Sequence, residues 1–441
     1  MTRAPLAQRL ASGIASAGLV AVLALAGGTN LPAPALATER GEPGGTEVTG
    51  GNSVDDAAEI EPGSYADEIS YEDVDFGENH PASTYRISLE DGQSGYVSAS
   101  MLRPEDAGSD AFGAAELEIM VAAPADPSCS VSQSSRVSGN ETGPVSVSIS
   151  TGVLDGNNPN DSCFQRGGSF IVSVAWSETY DGLPQTLPLE LQYVRQAATA
   201  WSQLPEPEEN PAFAEFLPES RGEAETLSPG WSFNTATELT EADAIVDAEV
   251  GRPLFFRAPL STGQQLSLRA RAASPADHTL TLRVFDPNLR PVAVARPGDE
   301  GAPASDMPDA NGTGTDASIS IADSGGTTAL TTRYPVNPRH EFVEFDDAKA
   351  SSIAGDYYIV VTIEPPLIDD PATGTHQVRL SWESQGEPFD SAPEVEGAGA
   401  APSYLGMELG TWVRIGGLGL GSVFLAIAGL LAILAIRRAR R

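Results

Sequence analysis

The sequence predicts an all-β ectodomain of two tandem domains, held to a membrane by one C-terminal transmembrane helix. Three observations carry this reading. Short runs alternate apolar and polar residues between Gly, Pro, Asn and Asp breaks, the mark of half-buried strands. The same landmarks recur in the same order in the two halves of the chain, the sign of an internal repeat. Trp412 to Ile436 is an almost unbroken apolar run.

At the N-terminus, Arg3 and Arg9 precede an apolar segment, Ile14 to Ala26, and then Ala35-Leu36-Ala37. That order predicts a secretory signal peptide over 1–37, cleaved before Thr38. At the other end, about 20 apolar residues suffice to cross the hydrocarbon core as a helix, and 412–436 contains only one charge, Arg414. Arg437, Arg438, Arg440 and Arg441 fill the tail at 437–441, and such a cluster marks the cytoplasmic side. The expected location is the cell membrane, single-pass, with the ectodomain outside and the lipid bilayer as a partner through one helix. No Leu-Pro-x-Thr-Gly sorting signal precedes Trp412, so the helix is expected to stay in place. Gly417 and Gly421 form a small-xxx-small pair suited to a helix-mediated dimer.

Between these ends, composition narrows the function. The chain has 441 residues, 61 acidic against 25 basic, for a net charge of −36. Nucleic acid is excluded as a partner, because its phosphates would be repelled. The two cysteines, Cys129 and Cys163, both fall in the exported region, where thiols pair. The expected disulfide closes a loop of about 35 residues, worth roughly 3–4 kcal/mol by the chain-entropy model. No C-x-x-C spacing supports a redox or metal role.

The duplication is read from landmarks. Gly51-Asn52-Ser53-Val54-Asp55-Asp56 matches Gly230-Trp231-Ser232-Phe233-Asn234-Thr235. Tyr85 to Leu89 and Phe255 to Leu260 each lead to a Gly-Gln turn, Gly92-Gln93 and Gly263-Gln264. Gly168 to Val174 corresponds to Gly355 to Val361, and both halves close on an alternating strand, Leu187 to Val194 and His376 to Trp382. The domains are therefore placed at 51–196 and 229–386, after a linker at 38–50. The segment at 197–228, with Pro205, Pro207, Pro211 and Pro218 among glutamates, reads as an extended Pro/Glu-rich linker. A flexible spacer is expected over 387–411, and the Gly/Asp/Ser/Thr-rich stretch from Arg296 to Thr332 is expected to be partly mobile. The whole would be beads on a stalk.

Leu280-Thr281-Leu282-Arg283-Val284-Phe285-Asp286-Pro287-Asn288-Leu289 resembles the bacterial pre-peptidase C-terminal domain, whose pattern runs Leu-x-Leu-x-Leu-Tyr-Asp-Pro-Asn-Gly. Gly355, Tyr357, Tyr358 and Val361 fit its later Gly-x-Tyr-Tyr-x-x-Val element. In the first half Ala122-Ala123-Pro124 stands in for the Asp-Pro-Asn turn. The resemblance implies two jelly-roll-like β-sandwiches in tandem, modules that accompany secreted enzymes and surface proteins and are usually non-catalytic.

Few motifs in the chain carry recognisable chemistry. The four histidines, His80, His278, His340 and His376, form no short-spaced ligand pair, and His376, opening a strand, is expected at the surface. No Gly-x-Ser-x-Gly nucleophile context occurs in the ectodomain. Asp155, Asn157 and Asp161 place side-chain oxygens at spaced positions of one loop, as calcium requires. Asp/Asn-rich turns also form for backbone reasons alone, and no other cofactor is implied. Glu72, Asp73, Asp75 and Glu78 make a looser version around Gly77. Trp176, Tyr180, Trp201, Trp231 and Trp382 are candidate binding aromatics, with Trp176 and Trp382 expected in the core. The expected function is a non-catalytic surface adaptor for an extracellular or envelope protein. The alternatives are a carbohydrate- or wall-binding module, and a hydrolase or peptidase accessory subunit.

Overall fold

Strands in the first half begin earlier than the sequence suggested. The computed structural model describes residues 43–397 apart from loop stretches, the longest being 71–82, 102–115, 153–163 and 297–315, together with 403–404 and 407–408. The first half contributes β1 (Thr46–Glu47), β2 (Ala58–Glu59), β3 (Gly63–Ser70), β4 (Ser83–Leu89), β5 (Ser94–Met101), β6 (Glu116–Ala123), β7 (Asp126–Arg136), β8 (Val145–Ser150), β9 (Gly168–Ser177) and β10 (Thr186–Gln196). They form two sheets, ordered β1-β3-β10-β5-β8 and β2-β4-β9-β6-β7.

The second half contributes β11 (Glu225–Thr226), β12 (Thr237–Glu238), β13 (Asp243–Glu249), β14 (Leu254–Leu260), β15 (Gln265–Ala272), β16 (His278–Phe285), β17 (Val294–Ala295), β18 (Asp316–Ile321), β19 (Gly326–Thr332), β20 (Gly355–Glu364) and β21 (Thr375–Gln385). Its sheets are ordered β11-β13-β21-β15-β19-β17 and β12-β14-β20-β16-β18. Apart from β17, the strand order repeats that of the first half position by position. In both halves the two opening strands run parallel to their neighbours, β1 to β3, β2 to β4, β11 to β13 and β12 to β14.

Local chemistry explains why the sequence landmarks recur. Gly92 and Gly263 adopt φ of +79° and +92°, a left-handed conformation that glycine enters without Cβ strain. The next residue's side chain then closes each turn. Gln93 Oε1 accepts from Glu90 N at 2.8 Å, and Gln264 Oε1 accepts from Ser261 N at 2.9 Å. Gly51 and Gly230 serve close approach instead. A Cβ on either would lie 2.3 Å from a backbone oxygen, that of Asp56 or Thr235 respectively.

Period-2 patterning fills each core. In β6, Leu117, Ile119 and Val121 point inward. They meet Ile69, Val97 and Leu189 of the facing sheet in one apolar cluster. Val246, Leu268 and Leu380 meet Phe256, Leu282 and Ile359 in the second half in the same way. The fold is all-β, with two facing sheets around each core.

Three stretches depart from expectation. Arg296 to Thr332 contains two strands, β18 and β19. Its Thr and Ile content suits a pleated ladder, a preference masked in the sequence by the surrounding Gly and Asp. The linker at 197–228 lies along the second half at several points. Asn337 Nδ2 donates to Pro205 O at 3.2 Å, and Ser267 Oγ and Gln385 Nε2 donate to Glu215 O at 3.0 and 2.8 Å. Within 387–411, β22 (Val395–Gly397) pairs with Val194–Gln196 of β10, continuing the ladder where β3 ends. An unsatisfied strand edge is what such a segment covers.

Candidate functional site

A seam of buried polar groups joins the two halves where separate beads were expected. All eight residues of β5 are buried, because one face looks into the core and the other lies under the second half. The same holds for the first nine residues of β20. On the first half's side the seam is lined by Glu190, Gln192 and Val194 of β10 with Ser98 and Ser100 of β5, none more than 1% exposed. On the second half's side stands an aromatic cluster. Phe233 packs edge-on against Phe255, Phe285 and Tyr358 at 5.1, 5.1 and 5.4 Å between ring centres.

Hydrogen bonds cross this seam, although Gln192 Oε1 and the Ser98 and Ser100 hydroxyls are buried without a partner. Gln192 Nε2 donates to Asn234 Oδ1 and to the Tyr358 hydroxyl, both at 2.9 Å. Asn234 Nδ2 donates to Gly44 O at 2.8 Å and Tyr65 O at 3.0 Å. Glu190 accepts from Gly44 N at 2.7 Å and Asn234 N at 3.1 Å, with the Ser232 hydroxyl and Phe233 N–H also directed at it. Burial nevertheless pushes the Glu190 carboxyl up to about 7, the donors offsetting only part of the desolvation.

A second contact flanks the first. Arg290 donates to Asp286 Oδ2 at 2.8 Å, Glu341 Oε2 at 2.7 Å and Ser352 Oγ at 2.8 Å. Its guanidinium lies 5.8 Å from the ring centre of Tyr96, within cation–π range. Burial alone would weaken its hold on the proton, but the Asp286 and Glu341 carboxylates outweigh that and keep it firmly charged. Asn288 Nδ2 donates across to Ile149 O at 3.3 Å.

The duplicated turns differ in what they bring to the seam. Ser232-Phe233-Asn234-Thr235 occupies the place of Ser53-Val54-Asp55-Asp56. Phe233 is 1% exposed and sits in the seam, whereas its counterpart Val54 is 48% exposed. Replacing Val-Asp by Phe-Asn supplies an aromatic anchor and an uncharged donor, both of which tolerate burial better than a carboxylate.

Of the residues singled out from sequence, Cys129 is buried in the first core, and Cys163 lies outside the described residues. Asp155, Asn157 and Asp161 lie outside them too, as do Glu72, Asp73, Asp75, Glu78, the segment 1–37, the apolar run 412–436 and Arg437, Arg438, Arg440 and Arg441. Among the described residues no group of three or more His, Cys, Asp or Glu is arranged to hold a metal, and no helix is long and apolar enough to cross a membrane. Trp176 is buried in the first core, while Trp231 and Trp382 pack against the second. Tyr180 and Trp201 lie outside the described residues. The exposed large apolar side chains are Val54, Met120 and Phe389 among the described residues, which do not make a row of aromatics.

No family model and no curated protein matches the chain. Solved structures give distant likenesses. A cryo-EM structure of Broad Bean Stain Virus is 12% identical, covering 72% of this chain and 80% of that one, with a TM-score of 0.15. The CBM22-1-CBM22-2 tandem domain of Paenibacillus barcinonensis Xyn10C is 7% identical, covering 74% and 92%, with a TM-score of 0.18. Tripeptidyl peptidase 2 is 8% identical, covering 71% and 26%, with a TM-score of 0.17. Likenesses at this level carry no functional argument.

Proposed function

We propose that this chain is a single-pass, membrane-tethered surface protein whose two jelly-roll-like β-sandwiches bind or assemble with an extracellular or envelope protein rather than catalyse a reaction. The observation that carries this reading is the seam. Glu190, Gln192 and Asn234 are bonded to groups of the two halves inside the interface, with Glu190 and Gln192 at 0% and 1% exposure. Groups committed in this way hold two modules in fixed relation, which suits display of a composite surface. Secretion by the signal peptide at 1–37, the span at 412–436 and the basic tail from Arg437 to Arg441 belong to the same proposal.

Kinship of both sandwiches with the pre-peptidase C-terminal domain is part of this reading. One feature supports it. Leu289 has φ of +56°, and it stands where that family's pattern carries Gly. Asp286 Oδ1 accepts from Asn288 N at 2.9 Å and Arg290 N at 2.8 Å, the local bonding that makes Asp a turn-former.

The test is a cross-linking and co-purification experiment on the full chain in native membranes, paired with turnover assays on peptide and glycan substrates. A specific envelope or extracellular protein is expected to be captured, with no turnover. Robust turnover abolished by one Asp or Glu substitution would overturn the adaptor reading.

A further inference from the structure

Two of the chain's four histidines meet at one end of the second core. His278 opens β16 and shares the inward-facing parity of Leu280, Leu282 and Val284. His376, the second residue of β21, shares that of Val378 and Leu380. Each facing sheet thus contributes one imidazole. Expected at the surface, His376 is in fact 5% exposed. The ring centres lie 5.0 Å apart with an interplanar angle of 70°.

Neither ring is satisfied. Nδ1 of His278 and Nδ1 of His376 are both buried without a hydrogen-bond partner. An orphaned buried polar atom is costly because it has left water without gaining a partner, and Leu or Phe would close the end of an apolar core without that cost. The spacing has a chemical meaning. Two imidazoles on one tetrahedral ion, each with a metal–nitrogen bond of about 2.1 Å, place their ring centres roughly 5 Å apart.

We propose that His278 and His376 form a two-imidazole site for a divalent transition-metal ion of the zinc and copper class, with water completing the coordination. Imidazole ligands select such ions over calcium or magnesium, so this site is chemically distinct from the oxygen-rich loop around Asp155 and Asp161. It is also independent of the adaptor reading, since a metal that closes the end of a sandwich acts on that module's own stability or surface.

The full chain would be titrated with Zn2+ by calorimetry and with equimolar Cu2+ by electron paramagnetic resonance. Binding of one ion is expected, with nitrogen couplings from two imidazoles. His278→Gln and His376→Gln should each weaken Zn2+ binding by at least tenfold, and His80→Gln should leave it unchanged. His278 is only half-buried at the first position of its strand, so His278→Gln keeps the test decisive if the His376 variant fails to fold. No nitrogen-coupled signal, or Zn2+ affinity that survives His278→Gln, would overturn the proposal.

Discussion

Gln192 on β10 and Tyr358 on β20 share a 2.9 Å hydrogen bond across 166 residues of sequence, and the seam around it ties the two halves to one another. Buried hydrogen bonds are expensive to break from one side, because the surviving partner stays desolvated. Gln192→Ala should therefore cost about 1–3 kcal/mol, and Tyr358→Phe somewhat less. Their double-mutant cycle should show coupling, since both act on one contact. Chemical denaturation of the unsubstituted chain is expected to show a single cooperative transition that splits in two in Gln192→Ala. Two separate transitions in the unsubstituted chain would mean that the seam does not hold.

Glu190 makes that seam sensitive to pH. Burial pushes its carboxyl up to about 7 in the fold from an ordinary 4.5, so the folded state favours the neutral form. The associated stability is fully present below about pH 4.5, the ordinary carboxyl value, and is lost as pH rises through about 7. Stability measured from pH 5 to 8 should fall by an amount on the order of 2–3 kcal/mol, and in Glu190→Gln that slope should vanish. The variant should also be weaker at low pH, because its amide group cannot accept from both Gly44 N and Asn234 N.

The duplication was legible because its signals are local. A left-handed glycine with a capping glutamine, as at Gly92-Gln93 and Gly263-Gln264, needs nothing from the rest of the fold. The seam was not legible for the converse reason. Glu190 and Gln192 fall at the alternate positions of a strand, where polar residues ordinarily face water. Nothing local distinguishes them from a wet face. The signal that existed lay on the other side. Tyr357 to Val361 is a continuous apolar run, which marks a strand covered on both faces. The histidine pair was hidden because its members come from strands far apart in sequence, brought together only by sheet-on-sheet packing.

The proposed Cys129–Cys163 disulfide gives a stability test placed in the first half. Cys129 is 3% exposed within the first core, so its loss removes both the cross-link and some packing. Cys163→Ala should lower stability by roughly 3–4 kcal/mol, and Cys129→Ala by more. Peptide mapping without reductant should recover both cysteines in one fragment. Two free thiols in the protein purified under oxidising conditions would refute the pairing.

Gly51 and Gly230 test whether the two halves are copies in energy as well as in topology. Each sits beside its neighbouring strand in a backbone bridge. Gly51 N donates to Thr84 O at 2.9 Å, and Gly230 N donates to Phe255 O at 3.0 Å. Neither needs a left-handed backbone; what excludes a side chain is the 2.3 Å approach of Asp56 O or Thr235 O to the Cβ position. The backbone must shift to admit a methyl group, and overpacking of this kind costs about 1–3 kcal/mol. Gly51→Ala should cost that much, since Val54 and Asp55 of its turn face solvent. Gly230→Ala should cost more, because the same shift displaces Phe233 and Asn234 from the seam. Urea denaturation of both variants checks the ranking, and a Gly51 variant weaker than its Gly230 counterpart would show that the second turn carries no seam energy.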